Sequence, residues 1–336
     1  MLDVLDTAEA AQDAPTTEYG APTDQGNVAQ PEAVVQPQQP PQPTPAPAQI
    51  TLLFVGDMMF DRNIRIKMQR HELGTYFPLK QLEPYFQQFD YVIGNLEGPV
   101  TDKPSRSVGS EPGSTNNFFF TFQPEIAQTL YDQNLRIVNL GNNHILNFGT
   151  DGVRQTKEYL SQANVRYFGD TSMEMTSDER TIIVDHDGFK LGFVGYNQFI
   201  KDGLTRALED IAWIKPQVDF VIIYPHWGNE YVPTANKAIV TMAHHLVDQG
   251  ADLVIGAHPH VIQNVEEYKN VRIYYSLGNF VFDQYFSKEV QEGMMVEVTI
   301  DPATKALKFA EKRVQLRPDG STIMKDTPSP SPQARP

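Results

Sequence analysis

Two apolar, β-branched runs in this chain end in histidine. Val221-Ile222-Ile223-Tyr224 leads to Pro225-His226-Trp227-Gly228, and Leu253-Val254-Ile255-Gly256 leads to Ala257-His258-Pro259-His260. Runs of this kind read as buried strands. Imidazole is the commonest protein ligand for borderline divalent metals. Three of the chain's 8 histidines at strand ends therefore point to a metal site rather than to packing. Other strand-like runs end the same way. Ile50–Val55 leads to Asp57, Tyr91-Val92-Ile93-Gly94 to Glu97, and Arg136–Leu140 to Asn143 and His144. This set is rich in oxygen and carries several imidazoles, which suits Mn, Fe or Zn better than Mg or Ca. It exceeds the needs of one tetrahedral zinc. Two divalent metals a few ångströms apart would use all of it, with one carboxylate bridging them. Such pairs commonly hydrolyse phosphate esters. A histidine left over from ligation can serve as general acid.

The elements that must position these groups alternate between strand and helix, which predicts an α/β sheet with its strand ends on one rim. Helices are expected at residues 58–70, near Leu79–Phe89 (kinked or begun again at Pro84), over Pro124–Gln133, from a cap at Thr150 or Asp151 to Ala163, over Leu204–Ile214 and over Thr234–Gln249. The polar stretch 101–117 reads as a loop, Phe118-Phe119-Phe120 as a return to strand, and Val271–Ser276 as a strand. Thr181–Val184 and Lys190–Tyr196 form a hairpin around a turn at Asp185–Gly188 that holds His186. Met294–Ile300 and Leu307–Gln315 pair antiparallel as an edge. His244 and His245, adjacent on one helix, divide between packing and solvent.

The chain has 336 residues, no cysteine and a formal charge of −15. Disulfides, thiolate zinc sites and cysteine nucleophiles are thereby excluded. Seven acids and no Lys or Arg precede residue 50, leaving −8 for the rest. Such a surface repels polyanions, so nucleic acid is not an expected partner. No apolar run is long enough for a membrane span, and the first residues lack the charge and apolar segment of a signal peptide. Residues 1–49, acidic and then Pro-rich, read as a disordered spacer, 50–316 as the folded domain, and 317–336 as a disordered Pro/Ser-rich tail.

The motifs Gly56-Asp57-Met58-Met59, Asn95-Leu96-Glu97, Asn142-Asn143-His144, His226-Trp227-Gly228-Asn229-Glu230-Tyr231, Gly256-Ala257-His258-Pro259-His260 and Ser276-Leu277-Gly278-Asn279-Phe280 follow one another in order. The series resembles that of the CapA family of poly-γ-glutamate capsule synthesis proteins, within the calcineurin-like metallophosphoesterases. The resemblance runs from about Thr51 to Tyr285. It implies a layered metallophosphoesterase-like fold, two mixed β-sheets packed together and flanked by helices. By position it assigns Asp57 and His260 to a first metal, Asn143, His226 and His258 to a second, Glu97 to the bridge and His144 to the acid.

Two positions depart from the wider pattern. Asp57-Met58-Met59 replaces the Asp-x-His of most metallophosphoesterases, a feature the CapA family shares. Asn147 stands where its relatives usually carry Asp, the residue expected to orient the neighbouring histidine. Four further residues are candidates for supporting or substrate-facing roles: Arg62, Asn147, Glu230 and Asn279. Trp227 is expected to pack, and Asp283 lies near the same rim. The functional expectation is a metal-dependent hydrolase of capsule polymer synthesis, acting on a phosphoester or a γ-glutamyl amide. The alternative is a non-catalytic component that binds the polymer or a membrane-bound synthase. The family places such proteins outside the cytoplasm, at the cell envelope.

Overall fold

A computed structural model describes Gly20, residues 48–171 and residues 175–325. The expected spacer, apart from Gly20, Ala48 and Gln49, and the tail from residue 326 onward lie outside the described residues.

The chain builds two mixed sheets. The first takes β1 (Ile50–Met58), β2 (Tyr91–Leu96), β3 (Ile137–Asn139) and β4 (Arg166–Phe168) in sequence. The second takes β5 (Ile182–His186), β6 (Phe189–Asn197), β7 (Phe220–His226), β8 (Leu253–Ile255), β9 (Val265–Tyr268) and β10 (Val271–Tyr274). The chain then returns to the first sheet through β11 (Asn279–Val281), β12 (Glu292–Ile300), β13 (Leu307–Leu316) and β14 (Thr322–Met324). The spatial order is β14-β13-β12-β1-β2-β3-β4 in an eight-stranded sheet, with β11 beside the end of β1. The order is β5-β6-β7-β8-β10-β9 in the six-stranded one.

Side-chain alternation within the strands explains the layering. Leu52 and Phe54 of β1 meet Ile222 and Tyr224 of β7 in the core between the sheets. Their neighbours Leu53 and Val55 face the helices outside the first sheet, and Val221 and Ile223 face those outside the second. Strands buried on both faces carry the continuous apolar runs seen in the sequence. The Tyr224 hydroxyl crosses the core to donate to the Val55 carbonyl, tying β7 to β1 just below the rim.

β1, β2 and β3 run parallel, as do β6, β7 and β8, so their carboxyl ends lie together. This is the layered α/β arrangement expected.

Several local expectations need correction. Phe118–Phe120 is no strand: Thr115–Phe118 is a 3₁₀ turn, and the nearby sheet-like contact is a bridge between Val100 and Phe122. Of these rings, Phe120 is buried beside His144, whereas Phe118 is exposed. Near Leu79–Phe89 the helical segment does begin again at Pro84, but as the short α-helix Glu83–Phe86 with Pro84 in its first turn, after a 3₁₀ helix that ends at Leu79. The helix after β3 spans Gly149–Gln162, so Thr150 and Asp151 sit inside it rather than capping it. The helix expected from Thr234 begins at Lys237, where Asn236 accepts from the Ile239 N–H. β12 and β13 do pair, but the edge beyond them is β14, and β12 joins β1. β14 also carries the folded part past the boundary expected at 316. Thr322 is buried and its hydroxyl donates to the Phe280 carbonyl, so a short polar segment is held by the sheet edge rather than by its own composition.

Candidate metal centre

Each functional side chain is set by a strand end and the backbone just beyond it. Asp57 is the penultimate residue of β1, fully buried, in parallel register with Asn95 and Asn279. Its Oδ1 accepts from the Asn95 side chain at 2.8 Å and its Oδ2 from the His258 N–H at 3.1 Å. Gly56 lets β1 approach the 277–279 segment. A Cβ there would lie 1.9 Å from the Gly278 carbonyl oxygen.

The His258-Pro259-His260 loop is held in an uncommon conformation, with φ of 97° at His258 and 57° at His260. Non-glycine residues at positive φ cost energy and cluster at functional sites. The loop is fixed by neighbours. The Ala257 N–H donates to Pro225 at 2.8 Å, and the Tyr231 N–H to Pro259 at 2.8 Å. Gly256 permits this crossing, since a Cβ there would sit 2.1 Å from the Tyr275 carbonyl oxygen.

The structure brings Asp57, Glu97, Asn143, His144, His226, His258 and His260 to one place. His226 Nε2 stands 2.9 Å from Asn143 Oδ1, 3.1 Å from His258 Nδ1 and 4.0 Å from Glu97 Oε1. On the other side, His260 Nδ1 is 3.4 Å from Asp57 Oδ2, and His260 Nε2 is 3.7 Å from Glu97 Oε1. Donors bound about 2.1 Å from one tetrahedral ion stand roughly 3.4 Å apart, so these spacings suit shared divalent cations.

Glu97 lies between the two groups, fully buried, and neither carboxylate oxygen has a hydrogen-bond partner. A buried, unpartnered carboxylate is costly unless a cation meets it. Burial pushes its pKa well above the usual range, Asp57 adds to the rise, and only nearby positive charge opposes it. His260 also loses charge stability by burial, yet Glu97 and Asp57 outweigh this and hold it at about 9. Burial lowers His258 to about 3 and His226 well below the ordinary value, so both are neutral donors at pH 7.

His144 sits at the edge of the group. Its Nε2 is 3.9 Å from Glu97 Oε1, and its Nδ1 is 3.1 Å from Asn147 Oδ1. Burial pushes it down to about 4. Asn147 Oδ1 also accepts from the Phe120 N–H at 2.8 Å, so the amide holds both the ring and the wall behind it.

The remaining candidates divide. Asn279 Oδ1 stands 2.9 Å from His260 Nδ1. Arg62 is paired with Asp283 and lies over the rings of Phe120 and Phe282. Glu230 is exposed at the mouth, with a carboxylate oxygen within 4.8 Å of donor atoms of His258 and His260. Trp227 packs in the core, its Nε1 donating to the Tyr275 carbonyl at 2.9 Å. His186 closes β5 and meets the Tyr91 hydroxyl. His244 stacks on Tyr268 while His245 is exposed.

Sequence reasoning passed over Asn95, whose amide reaches both Asp57 and His226, at 2.8 and 3.2 Å. Its place in the Asn95-Leu96-Glu97 motif was the available signal. It also passed over Phe199, which leans on His258 at 4.4 Å between ring centres and carries no pattern of its own. A cleft of about 510 Å³, lined by Arg62, Phe118, Tyr231, Asp283 and Phe286 among others, adjoins the centre.

The sequence profile described as "Bacterial capsule synthesis protein PGA_cap" matches residues 51–284. The chain is 27% identical over 285 residues to "Capsule biosynthesis protein CapA" of Bacillus anthracis, covering 79% of this chain and 68% of that one. It is 28% identical over 250 residues to "PGA biosynthesis protein CapA" of Bacillus subtilis (strain 168), covering 70% and 64%. It is 25% identical over 218 residues to a "Probable polyglutamine synthesis accessory protein" of Mycobacterium tuberculosis, covering 58% and 56%. The matched region thus spans roughly two thirds or less of each relative. With the profile covering most of the chain and every motif of the centre, this protein belongs to the bacterial capsule synthesis (PGA_cap) family.

Proposed function

We propose that the protein is a metal-dependent hydrolase of capsule polymer synthesis, with two divalent ions held at this centre. Glu97 carries the reading: a fully buried carboxylate with two unpartnered oxygens, ringed by imidazoles, is a group built for cations. Asp57, Glu97 and His260 would hold one ion, and Glu97, Asn143, His226 and His258 the other. Mn, Fe or Zn suits this mixture of oxygen and imidazole donors. When bound, the ions would polarise the scissile group and acidify water beside it.

The protein's own residues do the rest. Asn95 and Asn279 orient Asp57, His226 and His260. Phe120 packs against the His144 ring and Phe199 against the His258 ring. His144, standing beside Glu97 and held by Asn147, exchanges a proton with the reacting group. Its low pKa leaves it neutral at pH 7, so an anion bound at the centre is needed to raise it toward the range of a useful acid.

The adjoining cleft is the approach for an anionic polymer or phosphoester, with Arg62 as the cation among its lining residues. The names of the relatives speak of capsule, PGA and polyglutamine synthesis, which supports poly-γ-glutamate or a related capsule polymer as the substrate. The test is cleavage by Mn-loaded protein of poly-γ-glutamate and of simple phosphodiesters. His144→Ala should lower the rate roughly 10²- to 10⁴-fold while leaving metal content unchanged. Failure to cleave either class would overturn the reading.

A second reading rests on two observations. The Met59 sulfur is turned away from the donors to accept from the Asp61 N–H at 3.0 Å, and Asn147 replaces a carboxylate behind His144. Both fit a polymer- or synthase-binding component that retains the cage without turnover. In a polymer-producing strain, that reading predicts that His144→Ala leaves production intact.

A further inference from the structure

The two halves of the centre are unequal. Around His226 the chain offers four donors, Glu97, Asn143, His226 and His258. Around Asp57 it offers three, Asp57, Glu97 and His260. Met59, two residues after Asp57, does not make up the difference. Its side chain is fully buried in the apolar cluster with Met58, Phe60 and Phe282, and its sulfur accepts from the backbone of Asp61. A thioether is in any case a poor ligand for a hard divalent ion.

We propose that Glu230 is a ligand of the Asp57 half of the centre, supplying from the mouth the donor that Met59 does not supply from β1. This rests on the two-metal reading above. The carboxylate lies within 4.8 Å of donor atoms of both His258 and His260, on the open side where a cation would enter. The backbone on both sides of it is fixed. Gly228, at φ 87°, donates to Gln198 Oε1 at 2.7 Å, and Tyr231, at φ 63°, donates to the Pro259 carbonyl at 2.8 Å. The Tyr231 contact ties the Glu230 segment to the loop that carries both histidines. The Tyr231 ring leans toward His260, 6.1 Å between centres, and its hydroxyl accepts from Gln284 at 3.0 Å. A positive φ at a tyrosine costs on the order of 1 kcal/mol and persists where the surroundings require it. Here it accompanies the contact that holds the Glu230 segment against the His258–His260 loop. Three carboxylates then face two dications, which favours Mn or Fe(II) over softer ions.

The experiment is calorimetric titration of metal-free protein with Mn(II), paired with electron paramagnetic resonance of the loaded protein. Wild type should take two ions and show a spin-coupled pair. Glu230→Gln should keep one site at unchanged affinity, weaken the other about 10- to 100-fold, and lose the coupled signal at matched loading. Met59→Leu should change neither. Met59→His combined with Glu230→Gln should restore the second ion. Two ions of unchanged affinity and an intact coupled signal in Glu230→Gln would overturn this assignment while leaving the two-metal reading standing. One ion or none in wild type would remove both. Glu230 is exposed, so its replacement leaves the packed interior untouched.

Discussion

Protons and metal ions compete for the same atoms at this centre. In the metal-free protein His260 is held at about 9 and so favours a bound proton near neutrality, while burial pushes Glu97 well above the usual carboxylate range. A histidine raised in this way stabilises the fold fully below its unfolded pKa near 6.5, and that contribution is lost as pH rises through about 9. Raised Glu97 acts with the same sign. His144 and His258, lowered to about 4 and about 3, and His226, lowered well below its ordinary value, act oppositely, but their effect fades once pH has passed the unfolded histidine value near 6.5. The unfolding temperature of metal-free protein should therefore fall between about pH 7.5 and about pH 9, while saturating Mn(II) removes the fall because metal binding strengthens as the donors deprotonate. A metal-free profile that is flat or rising across that window would contradict the assignment. Glu97→Gln should separate stability from metal binding. The amide removes a buried carboxylate whose oxygens accept no hydrogen bond but gives up its attraction to His260, so metal-free protein should be about as stable, while the metal-dependent rise in unfolding temperature disappears. Denaturant melts with and without Mn(II) measure both.

At the scale of elements, the strands deliver the ligands because neighbouring backbones come unusually close. Gly56 and Gly256 both face carbonyl oxygens at distances no Cβ tolerates. Gly56→Ala should cost roughly 2–4 kcal/mol by forcing β1 away from the segment that leads into β11, and metal affinity should fall with it. Equal stability of this variant by urea denaturation would show that the approach is not needed.

The same scale explains what the sequence revealed and what it hid. Asp57, Glu97, Asn143, His226, His258 and His260 could be picked out because fully buried strands are continuous apolar runs, and a polar residue directly after such a run must lie at a sheet rim. The α/β class followed from the same alternation. Phe118–Phe120 misled because a run of phenylalanines looks alike whether it pairs in a ladder or fills pockets one ring at a time. β14 was missed because Ser321 and Thr322 are polar and are buried only through contacts with distant residues. Phe199 could not be found by any local pattern, since its contact with His258 joins the loop after β6 to the loop after β8.

For the molecule as a whole, a two-sheet core closes around one rim, and the final strands complete the larger sheet. β14 pairs with β13 through Val314, Gln315 and Leu316, two of which are buried apolar residues. A chain ending at Leu316 should lose about 2 kcal/mol and unfold about 4 °C lower or more, read by thermal melts. An unchanged midpoint would show the strand to be ornamental to the fold. Among the described residues no helix is long and apolar enough to cross a membrane. The account of function rests on cations at the rim. Its most direct test is elemental analysis of protein purified without chelator and supplied with Mn, Fe or Zn, with the ions located by anomalous scattering. The account predicts two ions per chain, both touching Glu97. Fewer than one ion per chain, or ions bound away from Glu97, would contradict it.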